Sequence, residues 1–292
     1  MSETHIICHC ADTGANPYLP MSMTVQRVVD ETDDRTIKSF DLAFADSAQS
    51  EAFRYRPGQF CELSLFGHGE APFGIASSPQ EGDWLRFTIK RTGRFTDVLH
   101  TTKAGDTIGL RGPLGNGFPL DEIRGKHIVI IGGGFAFTTL RALIVTLLAN
   151  DMRGDYGDLT VIYGTRTPGL QLYKSDLADW QARADIAVHR TIDVEAPDWL
   201  HRVGFVPTVL SEVAPSADNA LAIVCGPPVM IRFTLPVLDE LGFGKDSIYT
   251  SLENRMQCGI GKCGRCNIGH KYVCIDGPVF SLAELGELPD EY

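Results

Sequence analysis

Four of the eight cysteines fall in one short run near the C-terminus. The run reads Cys258-Gly-Ile-Gly-Lys-Cys263-Gly-Arg-Cys266, and Cys274 follows after seven more residues. In a reducing compartment such a cluster points to metal rather than to disulfides. The spacing C-x4-C-x2-C…C is that of a plant-type [2Fe-2S] site. A cluster needs four thiolates converging on a small volume. Gly259, Gly261 and Gly264 let the backbone wrap tightly and aim its N–H groups at the sulfurs. Lys262 and Arg265 offset part of the thiolate charge. The competing reading is a structural zinc site. Zinc favours paired C-x2-C knuckles, and this run holds one C-x2-C with a third cysteine five residues earlier. A second stretch of ligand-type side chains, His5-Ile-Ile-Cys8-His9-Cys10, has no matching pair elsewhere and is read as a partner contact.

Three further signals concern a dinucleotide. Gly132-Gly133-Gly134-Phe135-Ala136-Phe137-Thr138-Thr139 follows a buried run and opens a helix. Helix N–H groups and the macrodipole at such a turn can face a pyrophosphate. The turn is no G-x-G-x-x-G match, so by itself it is equally a tight strand–helix connection. Cys225-Gly226-Pro227-Pro228 places a thiol where a parallel sheet binds ligands, with Met230 just beyond. The bland reading of Cys225 is a small buried hydrophobe. Tyr163-Gly164-Thr165-Arg166 ends another strand-like run. Arg166 can meet an adenosine phosphate or ribose, or be a solvated loop arginine.

These residues need elements to position them. From Met23 to about Leu120 the pattern is short strands and turns: residues 23–29, 37–44, 59–66, 85–90 and 107–111, with a short helix over 95–103. Many short strands with frequent breaks predict a closed β-barrel. Beyond residue 120 the period changes. Strand-like runs at 127–131, 159–163, 186–190, 221–225 and 248–252 alternate with helix-like stretches at 138–150, 172–183, 207–213 and 229–241. That alternation predicts parallel βαβ units. Four parts are expected: an irregular N-terminal arm over 1–22, a β-barrel over 23–120, a dinucleotide-binding α/β domain over 121–250, and a cluster-binding segment with its tail over 251–292, the barrel being the flavin-binding part only by the resemblance given below. Trp180 and Trp199 are taken as packing residues.

The bulk numbers agree with a globular protein. The chain has 292 residues, 43% of them apolar and 22% charged, with a net charge of -11. No basic run suits nucleic acid. No segment approaches the ~20 apolar residues that span a bilayer. The N-terminus lacks a basic start and an apolar run, so a cytoplasmic location is expected.

These signals, behind a barrel and before this cysteine pattern, resemble the ferredoxin–NADP reductase superfamily, in its branch with a C-terminal [2Fe-2S] cluster. That branch includes the gamma subunits of cytoplasmic sulfhydrogenases and the electron-transfer subunits of dihydroorotate dehydrogenase; order and spacing suit the former better. The resemblance covers about residues 16–280 and is most specific at 256–266 and Asp276-Gly-Pro-Val-Phe280. Asn16-Pro-Tyr18, Pro57-Gly-Gln-Phe60 and Arg111-Gly-Pro-Leu-Gly115 also match.

The resemblance implies FAD, NAD(P)H and the cluster as cofactors, and other redox subunits as partners: a hydrogenase, a heterodisulfide-reductase-like module or a ferredoxin-type protein. The family's Arg-x-Tyr-Ser flavin motif falls on Ala71-Pro72-Phe73-Gly74, before Ile75. Phe73 can still pack on the flavin, Ala71 cannot pair with a pyrophosphate, and Gly74 offers a backbone N–H alone. The second flavin motif falls on Lys90-Arg-Thr-Gly93-Arg94-Phe95-Thr96, whose Gly93, Arg94 and Thr96 would supply the missing anion contacts. The nicotinamide loop carries Ala136 where the family has Gly and Thr139 where it has Pro. Cys225 would lie near the nicotinamide, with Glu253 approaching it, and these two are the candidate catalytic residues. The implied activity moves electrons between NAD(P)H, FAD and the cluster, to or from a partner. The rival is a flavin and iron-sulfur adaptor that takes no nicotinamide.

Overall fold

The computed structural model describes residues 16–289, so the ligand-type stretch at residues 5–10 lies outside the described residues. Six antiparallel strands form the first sheet: β1 (Met21–Asp30), β2 (Ile37–Phe44), β3 (Phe60–Leu65), β4 (Gly69–Gly74), β5 (Trp84–Lys90) and β6 (Thr107–Leu114). Their order is β4-β3-β6-β1-β2-β5. Alternating side chains such as Phe40, Leu42, Leu63, Phe87, Ile89 and Leu110 fill one apolar core. Two short helices join these strands, α1 (Ser47–Ala52) and α2 (Arg94–Leu99). The sequence pattern missed α1, which Asp46 caps by accepting the Ala48 N–H at 2.9 Å. α2 stops well before residue 103. The Thr101 and Thr102 hydroxyls donate to the Val98 and Leu99 carbonyls at 2.7 and 2.8 Å, an alternative to another helical turn.

The sheet curls like a barrel, but the expected closure is corrected: β4 and β5 are its two edges. Past the end of β4 the seam is stitched by the Ala76 N–H, which donates to the Arg86 carbonyl at 2.8 Å. The chain then leaves the sheet at Ser78–Glu81, because Arg141 and Thr146 hold it there. Arg141 donates to the Ala76 carbonyl and to both Glu81 oxygens at 2.8–2.9 Å, and Ser78 and Thr146 share a hydroxyl bond of 2.7 Å.

The second sheet carries β7 (His127–Gly133), β8 (Leu159–Thr165), β9 (Ala187–Ile192), β10 (Arg202–Val203), β11 (Ala220–Cys225) and β12 (Ile248–Ser251), all parallel. Its central strands β7, β8 and β11 are near-continuous apolar runs because helices cover both faces. α3 (Phe137–Leu148) and α4 (Lys174–Gln181) pack on one side, α5 (Val206–Val213) and α6 (Pro228–Glu240) on the other. The parallel units fall where the pattern put them. Tyr173 opens α4 in a left-handed conformation, φ 52°. Its hydroxyl donates to Thr88 at 2.6 Å and its N–H to Glu31 at 3.0 Å, so bonds to the first sheet hold a conformation that costs about 1–3 kcal/mol.

The C-terminal segment contains β13 (Asn267–Ile268), β14 (Lys271–Tyr272), α7 (Val273–Asp276), β15 (Val279–Ser281) and α8 (Leu282–Gly286). It is more than an appendage. β15 adds antiparallel to β12 at the edge of the second sheet. Phe60 and Leu114 of the first sheet share a core with Cys266, Ile268, Val273, Cys274 and Phe280. Asn116 clamps the same junction, donating to the Asp276 and Val279 carbonyls at 2.9 and 2.7 Å and accepting from the Val279 N–H at 3.0 Å. Among the described residues, no helix is long and apolar enough to cross a membrane.

Candidate functional site

The four cysteines of the C-terminal run come together, with Cys258, Cys266 and Cys274 buried and Cys263 exposed. They form two pairs, Cys258 with Cys263 and Cys266 with Cys274, each within hydrogen-bonding reach. Among the described residues, no three or more His, Cys, Asp or Glu side chains gather closely enough to hold one metal ion. A single zinc needs four donors about one point, whereas a two-iron cluster takes two thiolates on each iron. The paired arrangement fits the second.

The backbone is already turned toward these sulfurs. Cys258 Sγ accepts the N–H groups of Lys262 at 3.2 Å, Cys263 at 3.4 Å and Ile260 at 3.5 Å, and Cys274 Sγ accepts that of Gly261 at 3.2 Å. Burial opposes ionisation of Cys258, but the N–H donors outweigh it and bring the thiol down to about 7. Burial, and then the adjoining Cys266 thiol, push Cys274 up to about 12. The wrap depends on Gly261, at φ 70°, where a Cβ would lie 2.8 Å from Ile275 Cγ1.

Beneath this loop lies Glu62 of β3, 1% exposed, with Oε1 unpartnered among the described residues. Burial first, then Glu70, push its carboxyl up to about 7, while Arg111 pulls the other way. Arg111 ties β6 to the loop, donating to Glu70 at 2.7 Å, to the Cys258 carbonyl at 3.2 Å and to the Pro17 carbonyl at 3.1 Å. The sequence reading missed Glu62. Its signal is alternation, which places a charged residue on the same face of β3 as buried Phe60.

The three dinucleotide signals lie side by side. In register, Cys225 pairs with Gly132, Gly132 with Tyr163, and Gly133 with Gly164. They therefore share the carboxyl edge of three adjacent parallel strands. Gly133 and Gly226 flank the Met230 thioether, which a Cβ on either would overlap. Gly134 begins the turn into α3, and Thr138 is buried in its first turn. Thr165 donates to the Thr167 carbonyl at 2.9 Å, and Pro227 precedes α6. Arg166 is exposed, and its charge acts on Asp193, an acid at the end of β9 that the sequence reading missed.

Cys225 is 2% exposed. Burial pushes its thiol up to about 11, against hydrogen bonds involving Ser251 and Thr139. A thiol held there is protonated at physiological pH. Glu253 is exposed, close enough for its charge to act on that thiol.

Thr139 is the meeting point. A Cβ on Gly74 would lie 3.1 Å from its methyl, so β4 and α3 approach closely here. Pro72 and Phe73 precede Gly74 on β4, and Ile75 follows it into the core. Phe73 stacks on Phe95 with centroids 6.1 Å apart. Thr96 Oγ1 accepts the Thr92 and Gly93 N–H groups at 2.8 and 3.0 Å, so those two amides already have a partner. Lys90 and Arg94 stay exposed, and Arg94 makes no ion pair among the described residues. The donor set at this edge is cationic, which suits a phosphate.

Two family matches cover these regions. The oxidoreductase NAD-binding domain matches residues 130–235, and the iron-sulfur cluster binding domain of dihydroorotate dehydrogenase B matches residues 253–286. Sulfhydrogenase 1 subunit gamma of Pyrococcus furiosus is 36% identical over 283 residues, covering 94% of each chain. The probable dihydroorotate dehydrogenase B electron transfer subunit of Thermococcus kodakarensis is 34% identical, covering 90% of this chain and 97% of its own. A solved NADH-dependent reduced ferredoxin-NADP oxidoreductase, described for flavin-based electron bifurcation, superposes with a TM-score of 0.71 at 23% identity, over 96% of this chain and 95% of its own. A ferredoxin NADP+ reductase from Neisseria gonorrhoeae with bound FAD and NADP gives 0.63 at 17% identity, over 78% and 96%.

Proposed function

Because the chain belongs to the family of sulfhydrogenase gamma subunits and dihydroorotate dehydrogenase B electron transfer subunits, we propose that it is an NAD(P)H-dependent oxidoreductase subunit. It carries electrons between NAD(P)H, FAD and a [2Fe-2S] cluster, to or from a redox partner. The observation that carries this reading is the paired, N–H-cradled set of Cys258, Cys263, Cys266 and Cys274, welded by β15 to the dinucleotide sheet. When bound, the flavin and cluster together convert a two-electron hydride transfer into single-electron steps.

The chain's own residues do the rest. Cys258, Cys263, Cys266 and Cys274 hold the irons. The glycine-lined edge at 132–134, with Thr138, Gly164, Thr165, Gly226, Pro227 and Met230, accepts the dinucleotide. Pro72, Phe73, Gly74, Ile75 and Phe95 border the flavin ring, and Lys90, Gly93, Arg94 and Thr96 its phosphates. Cys225, neutral and dry, packs at the nicotinamide end, and Glu253 stands at its rim. Arg166 favours a 2′-phosphate, while Asp193 beside it favours a ribose hydroxyl. The expected domain limits, 1–22, 23–120, 121–250 and 251–292, belong to this reading, as do a cytoplasmic location and a hydrogenase, heterodisulfide-reductase-like or ferredoxin-type partner.

Anaerobic stopped-flow mixing with NADH and with NADPH tests it. Flavin absorbance is expected to bleach, followed by the cluster bands. If neither nucleotide bleaches the flavin, the chain is instead a nicotinamide-independent adaptor. That second reading is favoured by the Met230 side chain seated between Gly133 and Gly226.

A further inference from the structure

Resting on the electron-transfer reading above, we propose that the face around Cys263 is the docking surface for an acidic redox protein. Three observations carry it. First, Cys263 is exposed while Cys258, Cys266 and Cys274 are buried, so electrons have their shortest way out on that side. Second, the charge there opposes that of the whole chain. From Arg255 to Ile275 the sequence holds four Lys or Arg and no Asp or Glu, in a chain of net charge -11. The remainder therefore carries -11 - 4 = -15. Lys262 and Arg265, on either side of Cys263, are exposed and make no ion pair among the described residues, whereas Lys271 meets Asp276 at 3.6 Å. Third, Tyr272 and Ile275 are 38% and 40% exposed, and Ile275 lies against Gly261 of the cluster loop. An apolar centre with a charged rim is the anatomy of a protein interface.

The basic patch also acts on partner choice. The net charge of the remainder repels an acidic protein while the basic patch attracts it, so productive encounters are steered to the cluster. Overall charge alone predicts the reverse: slow association with acidic partners, relieved by salt.

The test uses the holoprotein. A dithionite-reduced, acidic plant-type ferredoxin is mixed with the oxidised protein, and each ferredoxin delivers one electron as its iron passes from ferrous to ferric. Ferric cytochrome c, a basic protein, is mixed with the reduced protein, and each haem accepts one electron. The ferredoxin rate constant is expected to fall about tenfold or more between low and high ionic strength. In Arg255→Glu/Lys271→Glu it is expected to drop by a similar factor at low salt and lose its salt dependence, while cytochrome c reduction holds or quickens. A variant that merely lost its cofactors would slow with both proteins, and the wild-type salt series then decides. A ferredoxin rate in the wild type that is flat or rises with salt would overturn the proposal. Failure of the electron-transfer reading looks different: neither protein exchanges electrons at any salt.

Discussion

In the cluster loop, four thiols and the N–H groups that serve them all come from residues 258–274. In the cleft, Gly74, Thr139 and Cys225 come from β4, α3 and β11 and meet only in the folded chain. The loop is a local device: left-handed glycines curl the backbone, and the curl itself supplies the donors. The cleft is assembled by sheet register and by the Arg141–Glu81 contact that draws β4's exit against α3. A local device tolerates change elsewhere and fails sharply at its own residues. An assembled one fails gradually, through pairs.

The largest effect follows from that contrast. Cys266→Ser is expected to abolish the cluster, with iron falling from about two per chain to near zero, while NAD(P)H still bleaches the flavin. Cys225→Ser should leave the iron intact, as atomic absorption would show. Loss of iron in the second variant would dissolve the distinction between the two regions.

Gly261→Ala should come next, costing about 1–3 kcal/mol through its left-handed backbone and its clash with Ile275. Thermal unfolding of the holoprotein would read this as a Tm lower by several degrees.

The cleft is sharpened by a double-mutant cycle. Gly74→Ala alone crowds the Thr139 methyl and should weaken flavin binding by about 0.5–2 kcal/mol. In a Thr139→Ala background that penalty should vanish. Additive losses would show that the two residues do not meet.

Thiol titration separates the regions chemically. After the cluster is stripped by a chelator, brief alkylation at pH 8 should label Cys258, held near 7, and spare Cys225, held near 11. Thiolate accumulates above each value, so Cys225 labels only as the pH climbs past 10. Peptide mass spectrometry reads the order.

The smallest effect concerns Glu62. Its folded carboxyl titrates near 7, while an unfolded glutamate ionises near ~4.3. Stability is therefore lost as pH rises through that window. Glu62→Gln lacks the penalty, so its Tm advantage over the wild type should be greater at pH 8 than at pH 5.

Cysteine spacing was legible because thiol chemistry, glycine geometry and sequence separation all act within one loop. The alternating strands and helices of the second sheet were legible too, since burial on both faces leaves an unbroken apolar run. The closed barrel was misread because strand pattern reports pairing partners but not whether the last edge meets the first. Ser77 still accepts the Arg86 N–H of β5, but Ser78 is drawn away to Thr146. The α1 turn was missed because its only strong signal is one capping aspartate. β15 was missed because three residues show no period.

The sequence by itself determined which thiols lie close together along the chain and roughly where two sheets begin and end, since those follow from spacing and from side-chain periodicity along the chain. The tertiary structure decided that Gly132, Gly164 and Cys225 share one edge, that Thr139 lies against Gly74, and that a carboxylate is buried under the cluster loop. Those facts depend on register and packing between residues far apart in the chain, where no local pattern reaches.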